Sequence, residues 1–251
     1  MRIALLAGLL LVAACGSDTS DSEAPSVLVA ASANLNRAMP QLVEAFEEET
    51  GIQTVVSLGS TANLTQQIEH GAPFDVFLSA DSAHIDRLIA SRFAESDSRY
   101  VYARGLLALW TLSNSPIELR GPEALLDPGV RFVSIANPGF APYGAAAFEV
   151  LERLGYDELL TDKIVYAQSI SMAHQYAASG NADIAITALS LAVDSDGTWT
   201  EVDRSLYSPI EQTLAVLSHA PHADSAHAFA AFIAGAEAQA VLGRFGYEAG
   251  D

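Results

Sequence analysis

Positive charge is scarce in this chain, and no apolar run is long enough to cross a membrane. Among its 251 residues only 12 are Lys or Arg, with Lys163 the one lysine, whereas 31 are Asp or Glu. Binding to nucleic acid needs clustered basic side chains that neutralise phosphates, so nucleic acid is excluded as a partner. The formal charge of −19 argues at first sight against an anionic ligand as well.

Cysteine is nearly absent too. Cys15 is the single cysteine, so no disulfide can form within the chain, and a fold of this length does not need one. Half of the residues are apolar and 17% are charged, which excludes a disordered chain. The length fits one large domain or two lobes of ordinary size.

The N-terminal residues are typical of an exported lipoprotein. Arg2 precedes an apolar run over residues 3–14, which is shorter than the roughly 20 residues of a membrane span. The run ends in Val-Ala-Ala-Cys, which resembles the lipobox of bacterial lipoproteins, and the resemblance implies a lipid on Cys15. We predict a signal peptide over residues 1–14 and a polar, lipidated tether over residues 15–25. Removal of the signal peptide brings the net charge to −20.

Strand and helix patterns alternate from residue 26 onward. β-rich runs are followed by apolar residues at helical spacing, with small or polar turns between them. Such βαβ units predict parallel sheets, which bind ligands at the carboxyl ends of their strands. The predicted strands are residues 27–30, 52–58, 75–79, 131–136, 163–167, 184–188 and 211–218, and the predicted helices are 34–49, 64–70, 144–154, 171–178 and 225–245.

Two series of these units, before and after residues 100–110, predict an α/β protein with two lobes. We assign residues 26–104 and 212–251 to lobe 1 and residues 105–211 to lobe 2. The chain is expected to cross between the lobes at Arg104–Leu109 and again at Thr213–Leu217.

Four turns that lead from a strand into a helix carry small or polar residues where the helix begins. A helix start presents unpaired N–H groups and the positive end of the helix dipole, so each turn is a candidate anion site. Ordinary capping by Ser, Thr and Asn is the alternative for any single turn. The four turns are residues 31–34, 59–63, 137–144 and 168–171.

Several short motifs are spread along the chain. They are Ala31-Ser32-Ala33-Asn34, Gly59-Ser60-Thr61, Gly-Ala-Pro-Phe-Asp-Val-Phe-Leu-Ser-Ala-Asp over residues 71–81, Asn137-Pro138, Ala141-Pro142-Tyr143-Gly144, residues 105–110 and residues 243–247. Together they resemble the motifs of the molybdate-binding solute receptors of ABC transporters. The resemblance covers roughly residues 26–250, and the block from Gly71 to Asp81 and the Ala-Pro-Tyr-Gly turn make it specific when both are present.

The resemblance implies a two-lobed, periplasmic-binding-protein-like fold of type II, with a tetrahedral oxyanion in the cleft between the lobes. In that family uncharged hydroxyl and main-chain N–H donors hold the ion. Because an oxyanion has only acceptors, a site made of donors satisfies it without a nearby carboxylate. Matched by motif, the ligand-binding residues are Ala33, Asn34, Ser60 and Thr61 in lobe 1, and Tyr143 and Ile170, both through their N–H groups, in lobe 2.

Two positions depart from the better-known branch of the family. That branch has a serine where this chain has Asn34, whose amide can also donate. It also has a tyrosine hydroxyl at the position of Ala188, and alanine removes that donor. Another branch carries the Asn and the Pro-Tyr-Gly turn seen here.

Other readings of the residues predict different ligands. A receptor of the same architecture for sulfate, phosphonate or an organic acid stays open; an organic acid would attract an Arg into the cleft, and Arg37 and Arg104 are the candidates. A lipid-anchored hydrolase would pair a hydroxyl nucleophile with a His, and His174 is the one histidine expected near the cleft.

Further polar clusters are interpreted as structural. His219, His222 and His227 lack the usual spacing of metal ligands and are expected at the surface. Asp75 is expected to begin a buried strand and Asp81 to cap the helix that follows. A phosphate-binding loop and a nucleophile elbow are absent from the sequence.

The sequence therefore predicts a lipid-anchored receptor outside the cytoplasm, in the periplasm or at the cell surface. We expect it to bind molybdate or tungstate as a monomer and to deliver the ion to a membrane permease with an ATPase partner. No cofactor and no enzymatic activity are expected.

Overall fold

The computed structural model describes residues 25–250, in which the strands form two separate sheets. The six-stranded sheet has the order β11-β4-β10-β3-β1-β2, and the five-stranded sheet has the order β7-β6-β8-β5-β9. The strands are β1 (Ser26–Ser32), β2 (Gln53–Gly59), β3 (Val76–Ser79), β4 (Tyr100–Gly105), β5 (Leu107–Leu112), β6 (Val133–Ala136), β7 (Ile164–Ala167), β8 (Ile184–Ala188), β9 (Gly197–Glu201), β10 (Ile210–Val216) and β11 (Glu248–Ala249).

Helices cover both faces of each sheet. The α-helices are α1 (Met39–Thr50), α2 (Thr61–Glu69), α3 (Ser82–Ala90), α4 (Pro142–Leu154), α5 (Asp157–Leu160), α6 (Ile170–Ala178), α7 (Leu189–Ala192), α8 (Ala223–Ala234) and α9 (Ala236–Arg244). Short 3-10 turns lie at Ala33–Leu35, Ser96–Ser98, Pro122–Leu126 and Arg204–Leu206. We call the six-stranded sheet with its helices lobe 1 and the five-stranded sheet with its helices lobe 2.

Alternation along the strands explains why each sheet has a core on both faces. In β1, Val27 and Val29 pack with α1, α8 and α9, whereas Ala30 packs with α2 and α3 on the other face. In β5, Leu109 packs toward α4 and Trp110 toward α6 and α7. Since successive strand residues face opposite ways, central strands buried on both sides are apolar almost throughout.

The two-lobed α/β fold expected from the sequence is confirmed, and the chain crosses between lobes twice. The first crossing lies between β4 and β5, within the predicted Arg104–Leu109. The second crossing runs from β9 to β10, over residues 202–209. It lies earlier than the predicted Thr213–Leu217, because β10 already pairs with β4 at Ile210. The lobe limits at residues 104 and 212 stay predictions.

Two predicted helices differ from the helices in the structure. The first, expected over residues 34–49, is split into the 3-10 turn and α1. Pro40 stands in the first turn of α1, where its missing N–H is tolerated. Its ring would clash with a preceding helical turn, so the helix does not continue toward the N-terminus. The C-terminal helix is likewise divided, because Gly235 adopts an extended conformation between α8 and α9.

Strand register aligns the turns that were predicted to bind an anion. β1 is parallel to both β2 and β3, and Ser32 stands opposite Gly59. In lobe 2, β6 is parallel to β7, and Ala136 stands opposite Ala167. The turns that follow these strand ends therefore leave each sheet at the same edge.

The N-terminal predictions fall outside the structure. The signal peptide at residues 1–14, the lipid at Cys15 and nearly all of the tether lie outside the described residues. Within residues 25–250, no helix is both long and apolar enough to cross a membrane.

Candidate functional site

A small cavity lies between the lobes at the carboxyl ends of the parallel strands. Its volume is about 10 Å³, far below the roughly 300–1,000 Å³ of pockets for drug-sized ligands, so only a small ligand suits it. The structure brings all six residues predicted from the motifs to this one cavity. The lining residues are Ser32, Ala33, Asn34, Gly59, Ser60, Thr61, Ala80, Ala141, Pro142, Tyr143 and Ile170.

None of the residues that line this cavity is charged. Arg37 instead donates from its Nη1 atom to the carbonyl of Asp194 at 2.9 Å, on an exposed surface. Arg104 lines a different depression, next to Arg204 and Glu248 at the chain crossings. Neither guanidinium is therefore among the groups that surround the cavity, which disfavours an organic acid as its ligand.

Ser60 presents a hydroxyl with no partner to this cavity. It stands at the N-cap of α2, yet its side chain makes no capping hydrogen bond. The Oγ atom is buried and lacks a hydrogen-bond partner among the described residues. A buried hydroxyl without a partner is costly, so this atom is a candidate donor to a ligand.

Thr61 begins α2 and is fixed by its neighbours. Its Oγ1 atom lies 2.7 Å from Ser32 Oγ, and the N–H of Ala80 donates to it at 3.4 Å. One hydroxyl of this pair donates to the other. The hydroxyl that accepts still has its own proton, which it can donate to a ligand in the cavity. Ser32 thus lines the cavity and orients Thr61. It was not predicted as a site residue, although its position in the Ala-Ser-Ala-Asn motif could have indicated it.

Tyr143 contributes a main-chain donor at the start of α4. Pro142 has no N–H, and the N–H of Gly144 donates to Ala141 at 2.8 Å. The N–H of Tyr143 is left without a main-chain partner within residues 25–250, at the positive end of a 13-residue helix. Its side chain points elsewhere, with the hydroxyl packed against Gly105 at the first crossing.

Ile170 stands in the equivalent position at the start of α6. Ser169 is the N-cap, and its side chain accepts from the N–H of Met172. The N–H of Ile170 has no main-chain partner among the described residues, so it also remains a candidate donor. α2, α4 and α6 thus all begin at the cavity, two of them across the cleft from the third.

The amide of Asn34 is occupied, contrary to the expectation that it could donate to a ligand. Its Nδ2 atom donates to Gln212 Oε1 and to Tyr247 Oη, each at 2.8 Å, in a fully buried setting. The donor that Asn34 can offer to the cavity is therefore its main-chain N–H. Ala188, where a tyrosine donor is missing, is fully buried at the end of β8 and does not line the cavity.

The buried phenols of Tyr143 and Tyr247 lie beside Asn34. Burial raises the pKa of Tyr247 above its usual value, and burial together with the nearby Tyr247 raises the pKa of Tyr143. Both phenols therefore stay protonated at neutral pH. Tyr247 uses its proton to donate to the carbonyl of Asn34 at 3.0 Å.

His174 does not form, with a hydroxyl of this cavity, the pairing of nucleophile and base that a hydrolase would require. His174 packs on Trp110 with 4.6 Å between the ring centres and does not line the cavity. Its Nδ1 atom has no hydrogen-bond partner in residues 25–250, and neither has Ser60 Oγ. Burial, with Arg37 nearby, lowers the pKa of His174 to about 4, which leaves the ring neutral at physiological pH.

This shift predicts a loss of stability in acid. The unfolded chain takes up the proton near pH 6.5 and the folded chain near pH 4, so protonation of His174 favours unfolding. As the pH falls from about 6.5 to about 4, this group should remove about 3 kcal/mol from the free energy of unfolding. Urea unfolding at several pH values should show a shallower loss in His174→Phe, which keeps a ring against Trp110.

The exposed His219 supplies the control for this measurement. His219→Gln should follow the pH dependence of the unchanged protein. If His174→Phe and the unchanged protein lost the same free energy of unfolding in acid, protonation of His174 would not be the cause of the loss.

The other polar clusters have structural partners. Buried Asp75 accepts from the N–H groups of Leu28 and His222 and lies 3.0 Å from His222 Nδ1. Asp81 accepts from the N–H of His84, which confirms the predicted helix cap. Residues 25–250 contain no group of three or more His, Cys, Asp or Glu side chains that could hold a metal ion.

A two-lobed α/β fold with a small, uncharged cavity between helix N-termini is typical of solute-binding proteins. The family described as bacterial extracellular solute-binding protein matches residues 27–248. This chain belongs to that family, and its place of action is accordingly outside the cytoplasm.

Molybdate-binding proteins from other bacteria align with almost the whole chain. The molybdate-binding protein ModA of Azotobacter vinelandii is 37% identical over 98% of this chain and 95% of its own length. ModA of Rhodobacter capsulatus is 35% identical over 98% of this chain and 93% of its own length. The solved structure of the periplasmic molybdate-binding protein of Azotobacter vinelandii matches with a TM-score of 0.86 and 32% identity, covering 90% of this chain and 100% of that one.

Proposed function

We propose that this protein binds molybdate or tungstate in the cavity between its lobes. The observation that carries the proposal is the uncharged cavity lined by an unpartnered hydroxyl and by the starts of three α-helices. The similarity to molybdate-binding proteins over nearly the full length supports the same ligand. Ala33, Asn34, Ser60, Thr61, Tyr143 and Ile170 are the proposed ligand-binding residues.

The chemistry of these donors suits a fully ionised oxyanion. Main-chain N–H groups and hydroxyls can satisfy acceptors only by donating, and the helix dipoles favour negative charge. Phosphate near neutral pH carries a proton that needs an acceptor, so donors alone select against it. Sulfate is also fully ionised but smaller, so the size of the cavity has to distinguish it from molybdate.

The bound ion is proposed to pass to a membrane permease with an ATPase partner. The protein acts as a receptor rather than an enzyme, and it requires no cofactor. A lipid on Cys15 keeps the monomer at the membrane surface, in the periplasm or outside the cell, and the polar tether separates it from the lipid. Closure of the lobes around the ion accompanies binding, since each lobe supplies part of the donors.

Calorimetry on the protein without its signal peptide tests the ligand. Molybdate and tungstate should bind tightly, whereas sulfate and phosphate at the same concentration should release little heat. Binding of sulfate or phosphate without binding of molybdate would contradict the proposal. Mass spectrometry of the mature protein from membranes tests separately for the lipid on Cys15.

Thr61→Val tests the second loop of the site. Valine keeps the shape of the side chain but lacks the hydroxyl, so molybdate should bind about 1–3 kcal/mol more weakly in calorimetry. Thr65→Val is the matched control, because Thr65 is equally buried one turn later in α2, donates to the carbonyl of Thr61 and does not line the cavity. Unchanged affinity in Thr61→Val would assign the donor role to Ser60 or to main-chain groups alone.

A further inference from the structure

The segment that follows the first ligand loop is tied to lobe 2 by a buried hydrogen bond. Ser190, in α7, donates from its Oγ atom to the carbonyl of Asn34 at 2.9 Å. Both residues are almost fully buried, at 2% and 1% exposure. The bond therefore joins the two lobes directly beside the cavity, where water cannot compete while the lobes stay together.

A second contact joins the same two segments at the surface. Arg37 lies in lobe 1, three residues after Asn34, and its guanidinium donates to the carbonyl of Asp194 in lobe 2 at 2.9 Å. Asp194 has a φ of +58°, a left-handed conformation that is uncommon for residues other than glycine. This conformation occurs in the turn just after α7, where the chain presents the carbonyl to Arg37.

Asn34 is held firmly from the lobe 1 side. Gln212 and Tyr247 accept from its amide, and Tyr247 also donates to its carbonyl. Because Asn34 is fixed to lobe 1, a movement of α7 away from lobe 1 would break the bond to Ser190.

We propose that residues 189–194 form an interlobe clasp that slows the release of the ligand. In this clasp Ser190 is hydrogen-bonded to Asn34, and Asp194 is hydrogen-bonded to Arg37. Ser190 is then a positioning residue, which acts on the ligand through Asn34 rather than by touching it. The inference depends on the proposed binding of an oxyanion next to Asn34. Ser190 and Asp194 would thus stabilise the closed state although neither is among the proposed ligand-binding residues.

Ser190→Ala is the first test, measured by stopped-flow dissociation of molybdate. Loss of one hydrogen bond of the closed state should speed dissociation about 3- to 10-fold and leave the association rate nearly unchanged. A structural role of Ser190 alone would instead leave the dissociation rate unchanged. Ser91→Ala, at an exposed serine of lobe 1, is the control.

Arg37→Ala is the second test, on a half-buried residue whose hydrogen bond to Asp194 is exposed and whose replacement should not impair folding. Dissociation should speed up about 2- to 3-fold, less than for Ser190, because water can replace the exposed bond. Arg120→Ala removes the same charge from an exposed arginine of lobe 2 and should leave the dissociation rate unchanged. Unaltered dissociation in both Ser190→Ala and Arg37→Ala would overturn the clasp.

Small-angle scattering separates failure of the clasp from failure of the proposed ligand. If the unchanged protein does not bind molybdate, the proposed function fails, and the clasp is judged from the ligand-free protein alone. Its radius of gyration should then be larger in Ser190→Ala than in Ser91→Ala. Equal radii in these two variants would overturn the clasp without reference to any ligand.

Discussion

Ser60→Asp should abolish molybdate binding and leave the fold intact. Aspartate is as good an N-cap as serine, so α2 keeps its start. The carboxylate, however, would stand where Ser60 now presents an unpartnered hydroxyl to the cavity. It would occupy the same N–H donors as the oxyanion and repel the oxyanion as well.

The size of this effect follows from the distance between the charges. Two unit charges about 4 Å apart interact with about 4 kcal/mol at the effective dielectric of a protein site, and an oxyanion with two charges is repelled more strongly. Affinity should fall by at least about 1,000-fold, since 1.4 kcal/mol corresponds to a factor of ten. Calorimetry should detect no binding at concentrations that saturate the unchanged protein.

Ser60→Asn is the matched control for the charge. Asparagine has nearly the same size as aspartate and caps helices equally well, but it carries no charge and can donate. It should keep measurable affinity for molybdate, and all three proteins should melt at similar temperatures without ligand. Similar affinities for the Asp and Asn variants would place the oxyanion away from Ser60 and contradict the proposed site.

The overall acidity of the chain does not prevent such a site. A net charge acts through a field that salt screens within about 8 Å under physiological conditions. The donors at Ser60, Tyr143 and Ile170 would touch the ion directly in a small cavity whose lining is mostly buried. Net charge therefore governs solubility and the rate of encounter, whereas local donors govern affinity.

The strand-to-helix turns were predictable because their signals are local. Ser60-Thr61 and Pro142-Tyr143 each combine a strand end with a helix start, and parallel strands bring such turns to one edge of a sheet. The two lobes followed from the repeated alternation of strand and helix. The Asp81 cap followed from a single residue type at a helix start.

Contacts between distant segments left no such signal. The amide of Asn34 meets Gln212 and Tyr247, which are 178 and 213 residues away, so these two hydrogen bonds could not be predicted from the motif. The bond from Ser190 to Asn34 likewise spans 156 residues and both lobes. A serine in a short helix looks the same in sequence whether or not it reaches across a cleft.

Gly144 is packed tightly against the end of β6. Gly144 lies in the first turn of α4, directly after the proposed donor Tyr143. A Cβ atom at this position would meet the carbonyl oxygen of Ala136 at 2.3 Å and its carbon at 2.7 Å. These are main-chain atoms at the end of β6, so they cannot rotate away as a flexible side chain would.

Gly144→Ala should therefore push the start of α4 away from β6. Forced overpacking typically costs about 1–3 kcal/mol, which exceeds the gain of about 0.5–1 kcal/mol from replacing a helical glycine by alanine. The free energy of unfolding should fall in urea denaturation. Molybdate affinity should fall about 10- to 100-fold, since the N–H of Tyr143 moves and a hydrogen bond to a charged group contributes about 1.5–3 kcal/mol.

Gly243→Ala separates the clash from the general effect of removing glycine from a helix. Gly243 lies in α9, has no atom within 4 Å of a built Cβ and does not line the cavity. Alanine there should raise the free energy of unfolding by about 0.5–1 kcal/mol and leave molybdate binding unchanged. Opposite signs of the two stability changes would assign the effect at Gly144 to its contact with β6. A Gly144→Ala protein as stable and as tightly binding as the unchanged protein would mean that the start of α4 can move freely and that Tyr143 does not hold the ion.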